Sequence, residues 1–274
     1  MTPNESEPMP TPPTSYFLVH EPDRYTATSH AGSAWDDGLH FSPIAGLLVH
    51  HMERWRAEHS DTGKSIGRVS FDILGRLVDD EIHLDTRIVR PGRTVELLET
   101  TATIQGRTAI VARAWALTDL DTHQVEGDDW PRLPGPDGLP SYPVTDIWPG
   151  GYIHSVQARQ IGEPRPGRAA AWVTTGLDLV DGEHASPLAS YVALIDTANG
   201  IAVRRRPEEW MFPNVDLTIH FFRQPQGRWV GFDTTVGFGP TGQGLTSSIL
   251  HDLDGPVGTA AQLLTVRPNP GATE

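Results

Sequence analysis

The sequence of 274 residues contains no cysteine. That absence excludes disulfides, thiolate metal sites and a cysteine nucleophile. No apolar run approaches the roughly 18 residues that span a bilayer. Positive charge is scarce: 21 Lys and Arg stand against 35 Asp and Glu, a formal charge of −14. Neutralising phosphates needs a basic footprint, so the balance argues against a nucleic-acid partner. Met1 to Ser15 carries five prolines, no cationic start and no apolar stretch. It reads as a disordered leader and not a signal peptide, which makes the cytoplasm the expected location.

What is present suits a folded protein. Hydrophobic residues make up 38% and charged residues 20%, and the length allows one large domain or two of ordinary size. Asp119 to Gly151 is rich in Pro, Gly and Asp, including Pro131, Pro134, Pro136, Pro140, Pro143 and Pro149, and shows almost no periodicity. It reads as an irregular connector over 119–151. The expected organisation is a leader (1–15), an N-terminal unit (16–118), the connector and a C-terminal unit (152–270).

The two units resemble one another. Ser42-Pro43-Ile44-Ala45-Gly46-Leu47 has a counterpart in Ser186-Pro187-Leu188-Ala189-Ser190-Tyr191, an offset of 144 (186 − 42). Asp85-Thr86-Arg87-Ile88-Val89 is matched by Asp233-Thr234-Thr235-Val236-Gly237, an offset of 148 (233 − 85). Similar offsets in the same order indicate duplication of a whole unit.

Each Ser-Pro pair is a helix start, with Ser at the N-cap and Pro at the first helical position, where its missing N–H costs nothing. Ile44, Leu47, Leu48, His51 and Trp55 give the first helix its apolar stripe; Leu188, Tyr191, Val192, Ile195 and Ala202 do so for the second. Arg204, Arg205 and Arg206 follow, where cations favour a helix C-terminus, and Pro207 stops it. Strands are expected at 68–77, 81–89, 94–104 and 108–117 in the first unit. The second repeats them at 215–221, 229–236, 245–251 and 257–266. An early strand precedes each helix, at Tyr16 to Val19 and Ala170 to Thr175. One helix followed by an antiparallel meander, done twice, is α+β.

This order is the hotdog layout, a curved antiparallel sheet around a helix. Three stretches of the C-terminal unit resemble the acyl-CoA thioesterase II family and its actinobacterial relatives, which are double hotdogs. They are Tyr191 to Asp196, where the family places a helical Asp; Asn214-Val215-Asp216, matching Ser/Thr-hydrophobic-Asp; and Val257 to Arg267, matching the last strand with its Gln. The likeness runs from about Tyr16 to Pro268. It implies a tandem hotdog of two antiparallel sheets, each wrapped around a long central helix. It also implies an acyl-CoA substrate, no cofactor, and Asp196, Asn214 and Gln262 as the set that holds and activates water. Asn214 departs from the family, because an amide is not a hydroxyl. Helix-start amides near Gly46 and Ser190 would hold the oxyanion, and Arg204–Arg206 would grip the CoA phosphates. The acyl tail would run along Leu188 and Val192, and two double hotdogs would pair through exposed sheet edges as a homodimer.

Each residue also has a purely structural reading. Asp196 would be a surface residue at the edge of the apolar stripe, Gln262 a backbone-bonded amide, Asn214 a strand-entry residue and the arginines a solvated cap. Gly46 and Ser190 would serve packing. The N-terminal unit offers no copy of the set: at offset 144 Asp196 falls on Met52, and aligning Val69 with Val215 sets Arg68 against Asn214. Other motifs fail on context. Gly237 to Gly242 fits G-x-G-x-x-G, but Pro240 interrupts it and a strand follows. His50, His51 and Glu53 lack a third ligand on one face, so no metal is expected, with His51 packed and His50 solvated. No G-x-S-x-G supports a serine hydrolase. A binding protein without turnover remains the alternative to a hydrolase. A hotdog dehydratase needs a helical His, for which only His51 is available.

Overall fold

The computed structural model describes residues 13–59 and 63–271. The leader expected over 1–15 therefore lies mostly outside the described residues. Its last two positions already belong to the fold: Asp178 N–H donates to Thr14 O, and strand β1 begins at Ser15.

Strands β1 (Ser15–Glu21) and β2 (Arg24–Ala27) precede helix α1 (Phe41–His59). The meander β3 (Lys64–Ile73), β4 (Ile82–Arg90), β5 (Val95–Ile104) and β6 (Arg107–Thr118) follows. After the connector comes the short helix α2 (Gly151–Ser155), then β7 (Val156–Arg165), β8 (Arg168–Thr175), β9 (Asp178–Val180) and α3 (Pro187–Val192). A 3-10 turn (Ile195–Thr197), α4 (Ala198–Ile201) and β10 (Trp210–Met211) lead to a second meander. It consists of β11 (Asp216–Phe221), β12 (Val230–Phe238), β13 (Gln243–Asp252) and β14 (Gly255–Thr265), with β15 (Arg267–Pro268) pairing β10 at the margin.

The sequence leads one to expect two sheets, and the structure corrects this. Thirteen strands form one sheet in the order β7-β8-β12-β13-β14-β11-β3-β6-β5-β4-β2-β1-β9. The units fuse because β3 and β11, each the first strand of its unit's meander, pair antiparallel from Asp216↔Asp72 to His220↔Arg68. Joining them removes two exposed edges that would otherwise invite foreign strands. At the far end β9 adds to β1 in parallel, only three residues after β8 ends. Tyr16 Oη in β1 also reaches Thr175 Oγ1 of β8 at 3.1 Å, so the two ends of the sheet meet.

The duplication is visible strand by strand. β12, β13 and β14 begin 148 residues after β4, β5 and β6 (230 − 82, 243 − 95, 255 − 107). The bridge Asn214↔Leu264 repeats the pair Ile66↔Ala116 at the same offset. The structural counterpart of Asn214 is therefore Ile66, and the alignment of Val69 with Val215 slips by two residues: Val69 matches Leu217.

The helices differ from expectation in two ways. α1 starts at Phe41, two residues early, because His40 and not Ser42 takes the cap: its Nδ1 accepts the Ser42 N–H at 3.1 Å. Everything from Phe41 to Met52 is buried, since α3 covers a face the sheet does not. Gly46 makes that contact possible, because a Cβ there would lie 2.5 Å from Ala193 Cβ and 2.8 Å from Ala189 O. The C-terminal helix does start as expected, with Ser186 Oγ accepting Ala189 N–H and Pro187 at the first position. It does not continue. Leu194 N–H bonds Tyr191 O and Thr197 N–H bonds Leu194 O, a tightening to i−3 spacing that splits one amphipathic run into three segments.

The connector region is tied down rather than loose. Tyr142 Oη donates to Ile201 O at 2.7 Å and Trp148 Nε1 to Gly200 O at 2.9 Å, satisfying carbonyls at the end of α4.

Candidate active site

Asp196, Asn214 and Gln262 come from three different elements and converge. Asp196 sits on the 3-10 turn after α3, Asn214 just ahead of β11, and Gln262 within β14. Asn214 Nδ2 donates to Asp196 Oδ1 at 2.8 Å, and Gln262 Nε2 donates to the same oxygen at 2.7 Å. Among the described residues no hydrogen bond reaches Oδ2. The second Asn214 N–H goes to Asp216 O at 3.1 Å, while Asp216 Oδ1 accepts Leu263 N–H at 2.6 Å and so belongs to the sheet.

Burial dominates the electrostatics. The Asp196 side chain is 6% exposed, and burial pushes its carboxyl up to about 6, with the two amide donors pulling the other way. Its ionised form is thus populated around neutral pH but held with little solvation. A carboxylate poised in this range suits a general base.

Sequence reasoning missed the next group. His40 Nδ1 lies 3.8 Å from Asp196 Oδ2. This is no ion pair, because burial lowers the imidazole to about 3 and Nδ1 already accepts the Ser42 N–H. The ring stacks on Tyr152 with centroids 4.1 Å apart. Tyr152 Oη in turn bonds Thr197 Oγ1 at 2.6 Å and Ser42 Oγ at 3.0 Å, linking α2, the 3-10 turn and α1. One signal was available: His40-Phe41-Ser42-Pro43 repeats as His184-Ala185-Ser186-Pro187, again at offset 144.

Asp196, Asn214 and His40 all line one cavity of about 510 Å³ between the two units. Its apolar wall includes Trp35, Leu39, Ile73, Leu77, Trp148 and Ile153, and Arg76 and Arg267 are its cationic residues. Arg76 is engaged by Asp36 and Asp37. The other expected positions fall elsewhere. Arg204 reaches Val236 O at 3.5 Å, Arg205 and Arg206 are exposed, and none of the three lines this cavity. Leu188 and Val192 are core residues that do not line it either. Gly46 packs against α3, and Ser190 lines a separate cavity of about 260 Å³.

His50 is not solvated as expected. It is buried, with Nε2 2.7 Å from Glu183 Oε2, because the segment ahead of α3 crosses it. His51 packs edge-on against Tyr25, and burial lowers it to about 4. Among the described residues no group of His, Asp and Glu is arranged to hold a metal ion.

Comparison with known families and structures gives the family and the fold. A family profile described as acyl-CoA thioesterase C-terminal domain matches residues 128–266, and one described as acyl-CoA thioesterase N-terminal domain matches 31–117. The chain belongs to the acyl-CoA thioesterase family. No curated protein matches the sequence significantly.

Among solved structures, a hot dog protein of unknown function from Alicyclobacillus acidocaldarius is similar at 15% identity. It covers 93% of this chain and 97% of its own, with a TM-score of 0.71. Acyl-CoA thioesterase II TesB2 from Mycobacterium marinum is 15% identical over 94% of this chain and 97% of its own, with a TM-score of 0.64. The tesB protein of Mycobacterium avium subspecies paratuberculosis is 16% identical over 93% and 97%, with a TM-score of 0.65. These likenesses establish the hotdog fold. Within the family pattern, Asn214 stands where the resemblance leads one to expect Ser or Thr.

Proposed function

We propose that the protein hydrolyses an acyl-CoA thioester with Asp196 as the general base. The observation that carries this reading is the convergence of two amide donors on one oxygen of a buried carboxylate in a cavity wall. Fixing Oδ1 in this way orients the carboxylate and leaves Oδ2 to take a proton from water. Gln262 and Asn214 are then positioning groups, and the acyl tail lies against Trp35, Leu39, Ile73, Leu77, Trp148 and Ile153. No helix among the described residues is long and apolar enough to cross a membrane, and we place the reaction in the cytoplasm.

One observation favours a second reading, a protein that binds acyl-CoA without turning it over. Both Asn214 N–H groups are already committed, to Asp196 and to Asp216 O, so only its carbonyl oxygen is left to hold a water. Steady-state release of CoA across acyl-CoAs of increasing chain length, followed with a thiol reagent, decides between the two. Hydrolysis is expected for at least one chain length. Tight binding of every ester with no thiol release would overturn it.

A further inference from the structure

His40 belongs to the N-terminal unit, whereas the carboxylate it faces belongs to the C-terminal unit. We propose that the Nε2–H of His40 donates a hydrogen bond to the thioester carbonyl oxygen, so that the first unit supplies the electrophilic half of the site. This rests on the hydrolase reading above.

Three observations carry the assignment. The Ser42 N–H points at Nδ1 from 3.1 Å, which requires a lone pair there and puts the ring proton on Nε2. Among the described residues nothing accepts that proton, although the ring is part of the cavity lining. The ring plane is locked by the stack on Tyr152, whose hydroxyl is itself fixed by Ser42 and Thr197. A donor held rigidly and unsatisfied by protein, on a ring whose Nδ1 edge lies 3.8 Å from Asp196 Oδ2, is what a developing oxyanion beside the base needs. The ring stays neutral, so it donates a hydrogen bond and gives up no proton.

The step balances with the groups present. Water oxygen attacks the carbonyl carbon while Asp196 takes one of its protons. The C=O π pair moves onto oxygen, where His40 Nε2–H meets it. Collapse restores the carbonyl and breaks the C–S bond. The proton on Asp196 then passes to the departing thiolate, giving CoA thiol and the free acid.

The test uses two substitutions with the full chain. His40→Asn keeps a side-chain acceptor for the Ser42 N–H, and so the α1 cap, but does not extend to the Nε2 position. His40→Gln reaches that position with an N–H. For His40→Asn, kcat is expected to fall about 10²- to 10³-fold. KM should stay within about threefold and the melting temperature unchanged. His40→Gln is expected to recover at least about tenfold of the lost kcat. If His40→Asn keeps kcat near wild type while Asp196→Asn is inactive, the His40 assignment fails and the hydrolase reading stands. Equal losses in both His40 variants would assign His40 to the helix cap alone and also overturn it. If the wild-type chain releases no CoA from any ester, both fall together.

Discussion

The two units share a frame and differ in what they bury at equivalent places. Thr86 and Thr100 form a buried hydroxyl pair at 2.7 Å, and Thr234 and Ser248 form the same pair at 2.8 Å, each 148 residues on. At the candidate site the likeness ends. Asp196 corresponds to Met52 at the helix offset of 144, and Asn214 and Gln262 correspond to Ile66 and Ala114 at the strand offset of 148. Met52, Ile66 and Ala114 are all buried and apolar. The frame therefore tolerates either a polar cluster or a plain core at these positions. A buried carboxylate is viable only where every neighbour needed to hold it has changed as well. The N-terminal unit is still no bystander, since it carries His40, Phe41, Ile73 and Arg76 into the shared cavity.

The comparison can be broken most violently by moving the carboxylate alone. Met52→Asp places an acid where the positions matching the two amides are Ile66 and Ala114. Stability is expected to drop by about 3–5 kcal/mol, read from denaturant midpoints. An unchanged midpoint would show that the two helix positions are not equivalent.

The reverse exchange acts on chemistry. Asp196→Asn is expected to lower kcat about 10²-fold or more, in a CoA-release assay. It should also stabilise the fold. The Asp196 carboxyl at about 6 lies above its ordinary 3.8, so the native state holds the proton more tightly than the unfolded chain. Stability is therefore lost as pH rises from about 4 through about 6, and the loss persists above that range. Removing the ionisable group should restore up to about 3 kcal/mol at pH 8 and nothing near pH 3. A variant less stable than wild type at pH 8 would contradict the account.

The smallest effect tests the shared frame. Thr86→Val and Thr234→Val each leave a buried hydroxyl without its partner, and each is expected to cost about 1 kcal/mol. A difference of more than about 1.5 kcal/mol between them would mean that the two frames are not carrying equal loads.

Much of this was legible in the residues. Alternation located all eight meander strands within a few residues, because each has one face on the core and one on solvent. The Ser-Pro pairs located both helices. The convergence of Asp196, Asn214 and Gln262 could be anticipated only through the family resemblance, since nothing local marks a 3-10 turn, a strand entry and a strand interior as neighbours. The break after α3 was invisible because Ala193 and Leu194 are good helix formers, and tertiary contacts impose the tighter spacing. His40 was missed because a His one residue ahead of a helix looks like loop. Its cap on Ser42 is local, but its stack on Tyr152 and its approach to Asp196 depend on chain segments more than a hundred residues away. For Arg204 to Arg206, local charge density could not say whether they reach the cavity of Asp196, whose lining they do not join.

The most direct test of the account is the pH dependence of kcat/KM for hydrolysis of a good acyl-CoA substrate. With Asp196 as the base, the rate should rise tenfold per pH unit below about 6 and level off above it. A profile that is flat from pH 5 to 8, or a rising limb that survives unchanged in Asp196→Asn, would contradict it.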